Sequence, residues 1–555
     1  MPALAVAVAL APAPAQALDK LDFDTPGASD DLRTALRGAS PLLLARAEGN
    51  TDPKDLFAAA QAEYGRLLGA LYAAGHYSGV IHVRIDGREA AAIASLDAPA
   101  RIGRIEVVVE PGPRFRFGQA EIGPLAPRTA LPADFAPGQV AASGVIGDAV
   151  QAAVDGWRLR GHAKAAVADQ DLRADHAQAT LSARIALAPG PQLRFGRLTF
   201  TGQDRMREDR LQAIAGFPAG EVFDPRAIRQ SVDRLRRTGV FTSVALTEAA
   251  TPNPDGTLDI AATVAEELPR RFGFGAELAS LDGLSLTGFW MHRNLLGGAE
   301  RLRFDGAVDQ IGATGNGMDA TLAVTLDRPA TFTPDTVLTL GVEAGRSDEP
   351  DQRIDAARLG LGLRHRFSDS LTGALALEYE AQEVRDLTGT TRYQSVALPL
   401  GLTWDRRDNV FDATRGFLLD AEVKPFAGLD GTDSGLRLTL DARGFRRMGG
   451  SDRLVLAARL QVGAVLGASL LGTPRDYLFY SGGGGTVRGQ PYQSLGVLVA
   501  RTGQTLGGAR FLGASGELRA RVTDQTGVVG FVDWGHVAVT DFLDATGASH
   551  AGAGL

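Results

Sequence analysis

The sequence predicts three α+β modules followed by an antiparallel β-barrel that crosses a membrane. Three observations predict it. A block of 77 to 78 residues repeats through the first half. From about residue 269, apolar and charged residues alternate with a period of two until the chain ends. And 68 glycines with no cysteine accompany a mean hydropathy of −0.03, with 45% hydrophobic but only 6% aromatic residues.

A length of 555 residues implies several domains. Glycine makes up about 12% of the chain against a usual ~7%, without a collagen period or low-complexity tracts, so tight turns and thin strands absorb it. The absence of cysteine removes disulfide scaffolds, thiol catalysis and cysteine-based zinc sites. A formal charge of −8 (57 basic against 65 acidic residues) argues against a nucleic-acid binder, which would present a basic face. No run approaches the ~18–20 apolar residues of a membrane helix. Barrel strands are not excluded, because their two faces average to neutral hydropathy.

Residues 2–17 (PALAVAVALAPAPAQA) read as an export signal. The apolar run ends in Ala15-Gln16-Ala17, an A-x-A-like cleavage site, and cleavage there leaves Leu18-Asp19-Lys20 as the mature start. No Lys or Arg precedes the run, which leaves open an upstream start codon or a disordered Ala/Pro tail.

The repeat then sets three modules, at 18–113, 114–191 and 192–268. Pro111-Gly112-Pro113-Arg114-Phe115-Arg116-Phe117-Gly118 returns 78 residues later as Pro189-Gly190-Pro191-Gln192-Leu193-Arg194-Phe195-Gly196, and Arg271-Phe272-Gly273 follows 77 residues after that. In each module an amphipathic helix ends at a glycine (Gly75, Gly161, Gly239), the residue that takes a left-handed conformation without a Cβ clash. Period-two patterning follows each glycine, and a turn at Asn253-Pro254-Asp255-Gly256 joins two strands of the third module. Each module is thus expected to run strand, two helices, hairpin. Strands at every module's end argue against a helical solenoid.

In the second half the two-faced strands are explicit. Leu302, Phe304, Gly306 and Val308 oppose Arg301, Arg303, Asp305 and Asp309. Leu371, Leu375, Leu377 and Tyr379 oppose Thr372, Glu378, Glu380 and Gln382. Leu359, Leu361, Leu363 and Phe367 oppose Arg358, Arg364 and Arg366, and Leu436, Leu438 and Leu440 oppose Arg437, Asp441 and Arg443. Successive strand side chains point to opposite faces, so charge lines one side and apolar groups the other. A soluble sandwich also alternates. Runs of ~9–12 residues repeated to the chain's end fit membrane strands better, with a watery lumen inside and lipid outside.

Catalytic and cofactor motifs are missing: no G-x-S-x-G elbow, no H-E-x-x-H, no phosphate loop ending in G-K-[ST]. Gly315-x-Gly317-x-x-Ala320 joins two strands and precedes no helix, so it reads as a hairpin turn rather than a dinucleotide site. His76 and His162 follow the capping glycines of two modules and are expected to stabilise the helix C-termini locally; no metal-ligand set surrounds them. An enzyme, a cofactor and a metal are therefore not expected.

One constellation is specific. Ser481-Gly482-Gly483-Gly484-Gly485-Thr486-Val487-Arg488-Gly489-Gln490 is followed by Pro491-Tyr492, and later by Phe531-Val532-Asp533-Trp534-Gly535. Upstream lies Trp404-Asp405-Arg406-Arg407-Asp408-Asn409-Val410-Phe411, closing with Thr414-Arg415-Gly416. Here the chain resembles the Omp85 superfamily of outer-membrane barrels. In that family a long extracellular loop with a V-R-G-Y/F tip folds back into the barrel, and its Arg pairs with the Asp of an F-x-D-x-G strand. The resemblance implies a loop-tip lock at Val487, Arg488 and Gly489, received by Asp533, Glu517, Phe531 and Gly535. A guanidinium inside a lumen requires carboxylates around it, and glycines let the loop backbone approach the wall. Gln490 stands where the family carries an aromatic residue, with Tyr492 as the substitute.

The N-terminal modules resemble POTRA domains, and three of them before such a barrel (269–555) look most like the outer-membrane subunit of the translocation and assembly module, a TamA-like protein. The resemblance implies a non-enzymatic outer-membrane factor of a Gram-negative bacterium with its POTRA modules in the periplasm. It would insert or export β-rich clients such as autotransporters, and its partners would be unfolded clients, the lipid bilayer and a TamB-like inner-membrane-anchored subunit. Phe272, Gly273, Phe274 and Gly275, on the first barrel strand, would form one side of a weak seam where client strands pair. The family's barrel has sixteen strands and ends in an aromatic residue. At roughly 20 residues per strand and loop, the 287 residues from 269 to 555 hold about 14 strands, so the final strands are expected to be missing. Two other readings stand beside this one. A two-partner secretion exporter of one adhesin requires a plug helix that residues 18–30 do not resemble. A passive porin with appended soluble modules would conduct strongly without handling clients.

Overall fold

The computed structural model describes residues 20–555 apart from 280–282, 314–316, 350–351, 388, 451, 500–502, 524, 543 and 545–546. The export signal and its cleavage site therefore lie outside the described residues, as does Gly315; Gly317 and Ala320 flank the start of a strand, with no helix after them. The chain divides into two compact units. One holds Met1–Gly196, Ala219–Arg226 and Ala250–Leu258; the other holds Arg197–Pro218, Ala227–Ala249 and Asp259–Leu555, so the division falls inside the third module.

In the first unit, module one runs β1 (Lys20–Asp24), α1 (Asp30–Ala39), α2 (Pro41–Ala47), α3 (Pro53–Ala73), β2 (Val80–Ile85), β3 (Arg88–Glu89) and β4 (Arg104–Glu110). Its sheet has the order β1-β4-β2-β3, with β1 parallel to β4. Ser29, Ser40 and Asp52 cap the three helices through their side chains, and Pro41 and Pro53 occupy first-turn positions where no N–H is needed. Leu36, Leu56, Leu67, Leu71, Val83 and Ile105 are fully buried between helices and sheet, each burial contributing roughly 1.5–3 kcal/mol.

Module two runs β5 (Arg116–Gly123), α4 (Ser143–Arg158), β6 (Ala166–Asp175) and β7 (Thr180–Ala188), in the sheet order β5-β7-β6. It has one helix where the repeat predicts two: residues 124–142 form turns around Phe135 and Ala141, which are buried in the module core. Four prolines from 124 to 137 remove N–H groups that a helix there would need. Module three runs β8 (Arg194–Thr201), α5 (Glu208–Ala215), α6 (Pro225–Arg237), β9 (Phe241–Glu248) and β10 (Thr257–Glu266), the expected order, with the sheet β8-β10-β9.

The two histidines bind elsewhere than expected. His76 Nδ1 lies 3.0 Å from the Gly112 carbonyl, and His162 Nδ1 lies 2.8 Å from that of Gly190. Each ring therefore holds the Pro-Gly-Pro turn that leaves its module, and the two repeated motifs meet in space.

The second unit is dominated by a 15-stranded antiparallel sheet. Its strands are β11 (Arg270–Ala279), β12 (Gly283–His292), β13 (Arg301–Ile311), β14 (Asp319–Arg328), β15 (Thr336–Glu349), β16 (Gln352–Arg366), β17 (Leu371–Asp386), β18 (Gly389–Ala397) and β19 (Leu400–Asp405), followed by β20 (Gly416–Gly428), β21 (Gly435–Arg447) and β22 (Leu454–Leu466). A loop of residues 467–509, with the small hairpin β23 (Val497–Val499) and β24 (Gln504–Leu506), leads to β25 (Arg510–Arg521), β26 (Gly527–Ala538) and β27 (Ala548–Gly554). Strands β18 and β19 are one pass interrupted at Leu398-Pro399, since proline cannot donate to the ladder; both halves pair with β17 and β20.

This sheet is turned inside out relative to a soluble one. Phe304, Leu340, Leu359, Leu361, Leu377 and Leu460 are exposed on one face. On the other, charges pair: Arg301 with Asp327 at 2.5 Å, Lys424 with Glu378 at 2.8 Å, Arg459 with Asp441 at 2.6 Å. Lipid replaces water as the partner of the apolar face. Among the described residues no helix is long and apolar enough to cross a membrane.

Buried acidity in module one yields a test. Glu63 on α3 is fully buried; its Oε2 accepts the Leu42 N–H of α2 at 3.1 Å, while its Oε1 has no partner. Burial raises its pKa, opposed by hydrogen bonds from Ser40 and Leu42. The folded state therefore holds this proton more tightly than the unfolded chain. That contribution is complete below the ordinary glutamate range near ~4.3 and is lost as pH rises through the raised folded value. Glu63→Gln is expected to raise hydrogen-exchange protection of α3 at pH 8 and to match the parent at pH 4. Lower protection at pH 8 would contradict it.

Candidate functional site

The long loop 467–509 turns inward over the charged face of the sheet and is held there at two places. At its tip, backbone geometry comes first. Gly482 (φ 111°) and Gly489 (φ 83°) adopt conformations closed to most residues. Gly483 N–H donates to the Gln490 carbonyl at 3.0 Å, and Gly482 N–H donates to Thr486 Oγ1 at 2.7 Å, so 482–490 is a closed turn rather than a linker. Val487 is fully buried at its apex.

This turn aims Arg488 at two strands. Its Nε donates to Asp533 Oδ2 and its Nη2 to Asp533 Oδ1, both at 2.7 Å. Its backbone N–H reaches Asp533 Oδ2 at 3.0 Å, and its Nη1 donates to Glu517 Oε1 at 2.6 Å. The second Glu517 oxygen accepts from Arg519 at 2.7 Å. The guanidinium carbon lies 3.8 Å from the centre of the Phe531 ring. Asp533 is 1% exposed. A bidentate guanidinium–carboxylate pair on an aromatic face combines the strong hydrogen-bond geometry of arginine with cation–π attraction. Removing one partner from such a buried pair costs about 3–5 kcal/mol, because the other charge is left without compensation.

The receiving strands are cut to fit. A side chain at Gly535 would collide with Ser481, and one at Gly552 with the Arg488 carbonyl. Gln490 donates to the Ala551 carbonyl at 3.0 Å, tying the tip to β27. Tyr492 is 79% exposed, so it does not fill the place of the missing aromatic residue; the amide of Gln490 makes the contact instead.

The second anchor lies at the loop's root. Arg475 pairs with Asp386 of β17 at 3.1 Å, with both side chains almost fully buried. Asp476 accepts from Arg358 of β16 at 3.0 Å and from Gln382 at 2.5 Å. The Tyr477 ring meets Phe426 at 5.1 Å, and Lys424 lies 4.5 Å from its centre. No motif marks Arg475-Asp476-Tyr477 in the sequence. The available signal is the run of inward acids on β17, which calls for cations from elsewhere.

The other motif regions are turns and edges. In the turn after β19, Asp405 holds Arg407 through two bonds at 2.7 and 2.9 Å. Asp408 accepts from the Thr414 hydroxyl at 2.6 Å and from the backbone of Thr414 and Arg415. The same hydrogen bonds hold the Asp408 carboxyl well below its usual range. Strand β11 pairs with β12 through ten residue pairs and, among the described residues, with no other strand. Its Phe272 and Phe274 are 69% and 87% exposed. Gly273 leaves room for the Phe289 ring, which Arg303 covers at 4.3 Å, and Gly275 leaves room for Thr287. The sequence-derived site residues therefore fall into two groups in this unit, the tip cluster and the β11 edge.

Fold and cluster define a class: a β-barrel outer-membrane protein with POTRA-like modules ahead of the barrel. Residues 294–555 match the Omp85 superfamily domain, and residues 193–267 match POTRA, the surface antigen variable number repeat; the chain carries both domains. Omp85 barrels with POTRA domains are outer-membrane proteins of Gram-negative bacteria. No curated protein matches the sequence. Among solved structures, BamA from Haemophilus ducreyi lacking POTRA domains 1–3 is 16% identical, covering 77% of this chain and 88% of that one at a TM-score of 0.59. CdiB from Escherichia coli is 16% identical, covering 80% and 83% at 0.46. CdiB from Acinetobacter baumannii is 12% identical, covering 79% and 83% at 0.45.

The close fit of the tip gives a test. Gly552→Val is expected to expel the Arg488 backbone and open the loop to added protease, while the barrel still resists unfolding by detergent at room temperature. Unchanged protease resistance would show that the tip is not held by this approach.

Proposed function

We propose that this protein is an outer-membrane assembly and translocation factor, organised like the outer-membrane subunit of the translocation and assembly module. It inserts or exports β-rich clients such as autotransporters, and it works by strand exchange rather than by covalent chemistry. The observation that carries this reading is the edge of β11. It is thinned by Gly273 and Gly275 and exposes Phe272 and Phe274. A strand with few side chains to pack holds its neighbour weakly, so a client strand that supplies main-chain hydrogen bonds can compete for that place.

The modules supply the approach. Edge strand β6 of module two is exposed along nearly all of its ten residues, and its Asp169, Asp171, Arg173 and Asp175 oppose uncontrolled pairing. An unfolded client adding as a further strand gains main-chain hydrogen bonds without a sequence requirement. In this account Val487, Arg488 and Gly489 lock the loop against Asp533, Glu517, Phe531 and Gly535, keeping the inner face ordered while the seam opens. A TamB-like inner-membrane-anchored subunit docks through the first module and delivers clients across the periplasm.

The test is complementation of a depleted strain, reading the abundance of β-rich outer-membrane proteins. Arg488→Ala and Asp533→Arg are each expected to cut client delivery at least about tenfold, consistent with loss of a charge pair worth several kcal/mol. Full delivery by both variants would sink the lock. High single-channel conductance with no client defect on depletion would instead mark a porin.

A further inference from the structure

Where helices α5 and α6 meet the turn between β14 and β15, the second unit contains a cavity of about 240 Å³. The approach is close. Gly216 (φ 54°) ends α5, and a side chain there would collide with Pro334. Arg210 donates to the Pro329 carbonyl at 2.5 Å. Arg234 is saturated: it donates to both oxygens of Asp335, at 2.6 and 3.1 Å, and to the Ala215 and Gly216 carbonyls. Arg301 is likewise committed to Asp327.

Three further arginines line the same cavity with capacity to spare. Arg237 gives one bond to Asp335 at 3.0 Å, and Arg366 turns one nitrogen to Asp369. The Arg364 side chain forms no ion pair or hydrogen bond among the described residues. The lining thus carries five arginines against two carboxylates, Asp327 and Asp335, a formal excess of three positive charges. Burial, and next the neighbouring Arg366, pull the Arg237 guanidinium below the usual arginine value. Like charges crowded in a partly desolvated recess are costly unless an anion joins them. All five cations are arginines, whose planar forks match tetrahedral oxyanions better than the point charge of lysine.

We infer that this recess is a binding site for a multiply charged oxyanion of phosphate chemistry, held by Arg237, Arg364 and Arg366. It stands apart from the loop cluster and from the β11 edge, and does not depend on how clients are handled. A lipid headgroup and free phosphate share this chemistry, and the recess faces the end of the sheet at which strands turn beside the third module.

The experiment uses the full chain with two arms. In detergent, inorganic phosphate is titrated calorimetrically at constant ionic strength against chloride. In nanodiscs containing phosphatidylglycerol and phosphatidylcholine, retained lipid is weighed by native mass spectrometry. Both arms compare the parent, Arg364→Gln/Arg366→Gln, and a control of equal charge at the opposite end of the strands, Arg385→Gln/Arg392→Gln. Saturable phosphate binding that weakens at least about tenfold in the first variant alone supports the site and a free anion, since each lost charged hydrogen bond is worth that much. Selective phosphatidylglycerol retention lost in the first variant alone supports the site and a lipid source. Arg364→Gln by itself serves if the double variant does not fold. Neither saturable phosphate nor selective lipid in the parent, or equal binding by all three proteins, overturns the inference.

Discussion

A guanidinium drawn out of water against the wall of the sheet needs carboxylates to receive it, and Arg488 has two. Its fork, backbone N–H and ring contact together satisfy the cation from three directions: Asp533, Glu517 and Phe531. Because these partners sit on two adjacent strands, β25 and β26, one side chain fixes their register relative to the loop. The Gln490 contact to Ala551 carries the restraint one strand further. Around it, Asp441 bridges Arg443 and Arg459, and Arg459 returns to the loop through the Gly485 carbonyl at 2.8 Å. The inner face is thus a connected lattice of charge, with the loop tip as one of its members.

Such a lattice needs the backbone to come close, and glycine supplies the room. Gly535 and Gly552 admit the tip, and Gly273 admits Phe289 beneath the first strand. The same residue type strengthens the fold in one place and thins it in another. At the tip, close approach brings charges into contact. At β11, it leaves a strand with few side chains to pack. A rigid interior and a thin first strand thus share one sheet.

Much of this was legible in the chain because it is local or periodic. Period-two alternation gave the strands, the Pro-Gly-Pro echo gave the modules, and the glycine after each helix occurs with positive φ at Gly75, Gly161 and Gly239. Arg488 and Asp533 could be matched because each lies in a recognisable motif. What escaped is non-local. Arg475 and Asp386 are 89 residues apart and neither lies in a motif, so only the fold reveals their pairing. The Pro-Gly-Pro turns mark the repeat in sequence, but the pairing of the Gly112 and Gly190 carbonyls with His76 and His162 is visible only in the fold. The second module's missing helix follows from prolines that a repeat-based reading overlooked. Gln490 breaks the family pattern by residue type yet still reaches β27, through a hydrogen bond rather than ring packing.

The account rests on the coupling between Arg488 and Asp533. A double-mutant cycle with Arg488→Ala, Asp533→Ala and the double variant, read as the free energy of barrel unfolding in urea and lipid, measures it directly. The account predicts that the double variant is less destabilised than the sum of the singles by at least about 1.5 kcal/mol, in the range of close, desolvated charge pairs. Additive losses would mean that the two residues act independently and that the loop is held by its root alone.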